Sequence, residues 1–417
     1  MSSQSSDIAE GMTPEKLPEH IVPPLTTFKK PWYKVRKQYI RRHQWNALTK
    51  RKVEGKWRSD LQRPSTCAEQ FHSSMHAARP LRCLVIPGDH LLDVRSMWAE
   101  ICPLDCYIRY LGFNEGHGSD EAGTSVYVAN NALTSLVGVV PDSQVLRDRF
   151  ETIASPKSQA YAHLKHYGPY HVVNLDLCGS MFPNTVQSVE PYYTALNRLL
   201  EYQFAAQKTI WLLFITTMVE PAVVDEDWMQ RLCKPTRNNF ASHHDFAAKI
   251  ENLLPRAALH DVKGEGKNVN LNGLTEQHLI NLFGVALGKW LLRLGHSASP
   301  EWTVEMSRSF RYTIKEDKGV VMLSLAFEMT PNFAPPVDVT GMSKLEIAVK
   351  TFPSEKESAV KLAEAVACIA DVDTKLAKDP ELKAAMRNEA ADLLESAGCD
   401  RAAFLEWVDA GEPTTQD

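Results

Sequence analysis

LRCLVIPGDHLLDVRSMWAEI, residues 81–101, reads as a strand, a turn and a helix in direct succession. Leu81 to Ile86 is an apolar run broken only by Arg82, and Pro87-Gly88-Asp89 ends it. Leu91, Leu92, Val94, Met97, Trp98 and Ile101 then recur at helical spacing, so the stretch is the first half of a β-α-β unit.

The same alternation continues downstream. CYIRYLGF (106–113) reads as a strand ending at Asn114-Glu115, and VYVA (126–129) as a short strand. A helical stretch follows from Ser143 to Lys165, broken at Ser155-Pro156, and then a buried strand at HVVNLDL (171–177). After Cys178-Gly179-Ser180 the chain is predicted helical to about Gln207, and Thr209 to Met218 is its most apolar strand. Residues 223–267 are polar and read as an insertion, followed by a helix from Thr275 to Leu294. Arg311–Lys315 and Val320–Met329 flank Glu316-Asp317-Lys318-Gly319, the signature of an antiparallel hairpin. The predicted fold is therefore α/β, a doubly wound, mostly parallel sheet with a C-terminal antiparallel hairpin. A basic N-terminal helical segment precedes it and a small C-terminal helical domain follows. The expected divisions are an extended or disordered lead-in over 1–27, a basic aromatic helical segment over 28–80, the Rossmann-like domain over 81–335 and a helical tail over 336–417.

With 44% hydrophobic and 23% charged residues in 417, the chain has a globular composition and enough length for a large core. Its longest apolar run, Thr209–Val219, is too short to span a bilayer. The polar start MSSQSSDIAEGMTPEK has no apolar signal region, which points to a cytoplasmic protein. Eight irregularly spaced cysteines do not form a disulfide framework, and Cys102 and Cys106 lack a second ligand pair for zinc, so no metal is expected.

Charge is unevenly distributed. Between Phe28 and Arg58 twelve Lys/Arg face one acid, Glu54, a surplus of +11 that leaves −16 for the rest of a chain whose net charge is −5. Phe28, Trp32, Tyr33, Tyr39, Trp45 and Trp57 are interleaved with them. Cations that neutralise phosphate and rings that stack on bases are what nucleic-acid binding requires, with Lys34, Arg36, Lys37, Arg41, Arg42, Lys50, Arg51 and Lys52 as the candidate contacts. A helix docking its aromatic face on the acidic body would have the same composition.

In a doubly wound sheet ligands bind beyond the carboxyl ends of the strands. Gly88 and Asp89 follow the first strand, Glu115 the second and Asp176 the fourth. Asp89 alternatively caps the next helix, and Cys178 reads as a small buried residue. His243-His244-Asp245 reads as a polar loop or helix cap.

The strand order, the hairpin and Asn174-Leu175-Asp176-Leu177-Cys178-Gly179-Ser180 together resemble class I S-adenosylmethionine-dependent methyltransferases. The last run is similar to the D-L-D-P-[FY]-G-S motif of tRNA guanine-N2 dimethyltransferases, and LLDVR-SM (91–97) to their G-L-R-S-I-R helix start. The resemblance implies S-adenosylmethionine as cofactor, held by Gly88, Asp89, Glu115 and Asp176, with Asp176 also the catalytic residue. Two departures imply weak donor binding: one glycine stands where a G-x-G turn is expected, and Leu177-Cys178 replaces the Pro-aromatic pair. The pattern from Pro31 to Trp45 also resembles an uncharacterised bacterial family. The expected function is a methyltransferase-like protein acting on or binding nucleic acid. The alternatives are a catalytically inactive methyltransferase-fold scaffold or nucleic-acid-binding subunit of a bacterial assembly, and a nucleotide- or small-molecule-binding α/β protein. Nucleic acid and other proteins are the expected partners.

Overall fold

The computed structural model describes residues 28, 33–61, 79–115, 120–177, 179–181, 190–221, 224–255, 271, 273–315, 320–333 and 352–412. The lead-in over 1–27, the Glu316–Gly319 turn and Cys178 lie outside these residues.

The N-terminal segment is one helical rod: α1 (Val35–Ile40), a π-helical stretch (Arg41–Asn46) and α2 (Ala47–Glu54). After the single turn α3 (Arg58–Leu61) come β1 (Leu81–Val85), α4 (Leu92–Ile101), β2 (Ile108–Phe113), α5 (Asp120–Thr134) and β3 (Gln144–Leu146). Next are α6 (Gln159–Tyr167), β4 (Val172–Asp176), α7 (Glu190–Ala206) and β5 (Trp211–Met218). The helices α8 (Glu226–Ser242), α9 (His244–Leu253) and α10 (Glu276–Ser297) lead to β6 (Trp302–Met306), β7 (Phe310–Lys315) and β8 (Val320–Pro331). The chain closes with α11 (Glu355–Ala367), β9 (Ala370–Asp371), α12 (Val372–Lys378), α13 (Pro380–Ser396) and α14 (Arg401–Asp409).

Among the described residues the sheet runs β3-β2-β1-β4-β5-β8-β7-β9, with β6 also on β8. Strands β3, β2, β1, β4 and β5 are parallel, and β8 enters antiparallel between β5 and β7. This is a Rossmann-like doubly wound sheet with the antiparallel closure read from the sequence. Strand β5 is paired on both edges, by β4 and β8, and helices cover both faces of the sheet there: Trp211, Leu213 and Ile215 enter one core, and Leu212 and Phe214 the other. That double burial produces a continuous apolar run rather than an alternating one.

Three elements differ from the sequence reading. Val126–Ala129 is not a strand but part of α5, where Val126, Ala129 and Leu133 are buried at helical spacing while Tyr127 and Val128 face outward. The third strand is instead Gln144–Leu146, at the start of the stretch read as helix, and it buries only Val145, too little to show a period. Trp302–Met306 is an additional strand, separated from β7 by the bend at Ser307-Arg308-Ser309, where Ser309 Oγ accepts from the Ala326 N–H. The stretch read as insertion holds α8 and α9, capped by Asp225 and by His243, whose Nδ1 accepts from the Phe246 N–H.

The two cores lie on opposite faces of the sheet. One is built with α6 to α11, the other with α1, α2, α4, α5 and α12. The C-terminal helices share these cores: Leu362 and Val366 of α11 lie in the first, Val372 and Leu376 of α12 in the second. Residues Ala370–Asp371 extend the sheet beside β7. Among the described residues no helix is long and apolar enough to cross a membrane.

Candidate functional site

Register brings the carboxyl ends of β1, β2 and β4 to one rim. Val85 is level with Gly112 and with Asn174, and the Ile86 N–H donates to the Asn174 carbonyl. The turn Pro87–His90 follows β1, and the Asn114 side chain fastens it by donating from Nδ2 to the Pro87 carbonyl at 2.8 Å. The Pro87 ring also packs over Gly112: a Cβ there would lie 3.3 Å from Pro87 Cγ and 2.9 Å from a Val145 methyl. Glycine at the end of β2 therefore permits this close approach. Helix α4 enters from Leu91, in the left-handed region at φ 50°, with no side-chain cap, so Asp89 does not cap this helix. Glu115, beyond β2, is half exposed and pairs with Arg149 at 2.6 Å, an exchangeable surface contact.

Asp176 ends β4 on the face covered by the N-terminal rod. Its carboxylate is held by the ammonium of Lys37, and the pair is buried, with side-chain exposures of 10% and 3%. Lys37 Nζ also lies 3.3 Å from the Tyr312 hydroxyl and 4.7 Å from the centre of the Trp45 ring. Arg41, one turn along, donates from Nε to Asp93 at 2.8 Å in a second buried pair. Burial pushes the Asp176 carboxyl up to about 6, with Asp93 adding to the rise and Lys37 and Arg41 opposing it. Burial also opposes charge on Lys37, but Asp176, Tyr312 and Asp93 outweigh it and raise the pKa of the ammonium, which stays charged.

The rest of the rod follows the sheet toward the amino ends of the strands. Gln44 donates from Nε2 to the carbonyls of Arg308 and Ser324 and accepts from Ser324 Oγ, which also bonds Thr216. Trp57 donates to the Ile210 carbonyl at 2.7 Å and packs edge-on against His171. A π-helical stretch widens the turn, here where Arg41, Gln44 and Asn46 all reach inward.

The basic residues thus divide. Lys34, Lys37, Arg41 and Lys52 are buried, facing Glu412, Asp176, Asp93 and Glu328. Arg36 pairs with Asp373 and Glu412. Arg42 and Lys50 pair with Glu389 and Glu100 but stay substantially exposed, while Arg51, Lys56 and Arg58 are exposed. The aromatic residues Phe28, Tyr33, Tyr39, Trp45 and Trp57 are all buried.

Sequence reasoning selected Lys37, Arg41 and Asp176 but not their pairing, and it missed Asp93 and Tyr312. Asp93 left one signal, an acid in the first turn of a helix otherwise apolar toward the sheet. Tyr312 left none, since an aromatic in a strand reads as core. Among the described residues no group of three or more His, Cys, Asp or Glu could hold a metal ion.

The family model described as PP_RS20740-like matches residues 26–409, so the chain belongs to that family. No curated protein matches the chain. Among solved structures, the plantazolicin methyltransferase BamL, crystallised with a triazolic desmethylPZN analogue and SAH, is similar at 11% identity and a TM-score of 0.23. That likeness covers 72% of this chain and 97% of the other. At that score it bears no weight, and the fold rests on the strand order and register.

Proposed function

We propose that this member of the PP_RS20740-like family is a methyltransferase-fold scaffold in which the strand-end acid is committed to structure rather than to chemistry. The buried Lys37–Asp176 pair carries this reading. A catalytic acid must be free to meet substrate or donor, whereas this carboxylate is enclosed by Lys37, beside Tyr312 and Trp45. The residues of the rim fit S-adenosylmethionine poorly. The β1 turn holds one glycine, Gly88, directly after Pro87, whose ring packs over Gly112, where a G-x-G loop would bring open backbone to the donor. Losing three donor hydrogen bonds at about 1 kcal/mol each weakens binding by about two orders of magnitude. Calorimetric titration of the full chain with S-adenosylmethionine is therefore expected to give a dissociation constant above roughly 100 µM, or no heat. Low-micromolar binding that Asp176→Asn abolishes would overturn the reading.

A second reading, nucleic-acid binding by the outward side of the rod, is favoured by the exposure of Arg51, Lys56 and Arg58 beside Arg42 and Lys50. Among the described basic residues of the N-terminal segment, these five can reach phosphate without dismantling buried pairs. Replacing Arg51, Lys56 and Arg58 by Ala is expected to weaken binding to duplex DNA or single-stranded RNA and to lower the salt slope by about 2 to 3. An unchanged slope refutes it.

A further inference from the structure

Six Lys or Arg residues are buried among those described: Lys34, Lys37, Arg41, Lys52, Arg95 and Lys289. Five of them have a carboxylate within 4.0 Å. Arg95 is the exception. It sits in the first turns of α4 with only 6% of its surface exposed, and its Nε is buried without a hydrogen-bond partner. The groups that act on its charge are not carboxylates but the Tyr110 hydroxyl and the Cys399 thiol. Tyr110, in the middle of β2, donates its hydroxyl to Asn130 Oδ1 of α5 at 2.8 Å, which leaves the Asn130 amide N–H groups for another acceptor. Cys399, just beyond α13, is buried in the same small cluster as Leu92 of α4.

An isolated buried cation is costly, and a guanidinium fork matches the two oxygens of a carboxylate or phosphate. Burial lowers the pKa of Arg95, as expected for a charge without a counter-ion, but not enough to discharge an arginine. We propose that Arg95 is the receptor for an oxyanion, carboxylate or phosphate, carried by a small ligand bound between α4, Tyr110, Asn130 and Cys399. The site is separate from Asp176, whose own cation is already in place, and does not depend on how the strand-end rim functions.

The test is thermal unfolding of the full chain with inorganic phosphate or succinate, against sodium chloride at matched ionic strength. One anion is expected to raise the Tm above the chloride control, phosphate or succinate according to which oxyanion the site takes. Arg95→Met, which keeps the length of the side chain and removes the charge, is expected to unfold at a higher temperature than the wild type without anion and to lose the anion response. No anion-specific rise in the wild type overturns the proposal, and so does an equal rise in Arg95→Met. If Arg95→Met does not fold, an anion titration of the wild type labelled with ¹⁵N at arginine Nε decides. A saturating shift of a solvent-protected Nε–H supports the site, and its absence overturns it.

Discussion

Replacing Lys37 by Met tests the central contact of the candidate site. The methionine keeps most of the apolar stem against Trp45 but removes the ammonium, leaving Asp176 buried without its cation. Breaking a buried pair from one side costs about 3–5 kcal/mol, because an uncompensated charge remains. The loss depends on pH in a defined direction. The folded-state pKa of Asp176 is already raised, to about 6, above its usual 3.8. A raised acid contributes stability that is full below its unfolded pKa and declines as pH rises through its folded one. Without Lys37 the folded pKa rises further, so the variant is expected to be closest to wild type near pH 5 and to fall furthest behind near pH 8. Equilibrium unfolding in urea at the two pH values measures this, with Lys37→Met/Asp176→Leu as the control in which both charges are gone. The double variant is expected to recover most of the loss. A Lys37→Met protein as stable as wild type at pH 8, or with an unchanged pH slope, refutes the reasoning.

Leu213→Asp places a charge on the fully buried central strand and is expected to abolish soluble expression; a folded variant by circular dichroism contradicts the placement of β5. His43 packs on Tyr39 with its Nε2 buried and unbonded, and burial, followed by Arg42, Arg308 and Lys375, lowers its pKa to about 4. Its neutral form is favoured on folding, so its contribution is present above about 6.5 and is lost as pH falls toward 4. His43→Asn is expected to flatten the decline of Tm over that interval, and an identical profile in both proteins counts against it.

What the sequence determined by itself was whatever depends on near neighbours. The run Trp211–Met218 had to lie between two covered faces, the β1-turn-α4 unit had to open a wound sheet, and the carboxyl ends of the first, second and fourth strands had to meet at one rim. Local patterns failed where they were short or ambiguous. Val126–Ala129 carries strand-forming residues, but burial at positions 126, 129 and 133 of a longer helix outweighs that preference. Three residues at Gln144–Leu146 are too few for any period. The partner of a charge is a matter for tertiary structure alone. The basic segment had the same composition whether it faced phosphate or its own acidic body, and only the fold brings Lys37 to Asp176, Arg41 to Asp93 and Lys52 to Glu328 while leaving Arg51, Lys56 and Arg58 outside. Lys37 and Asp176 stand 139 residues apart. Coulomb attraction and desolvation depend on distance and burial in three dimensions, and neither is fixed until the sheet has placed both groups.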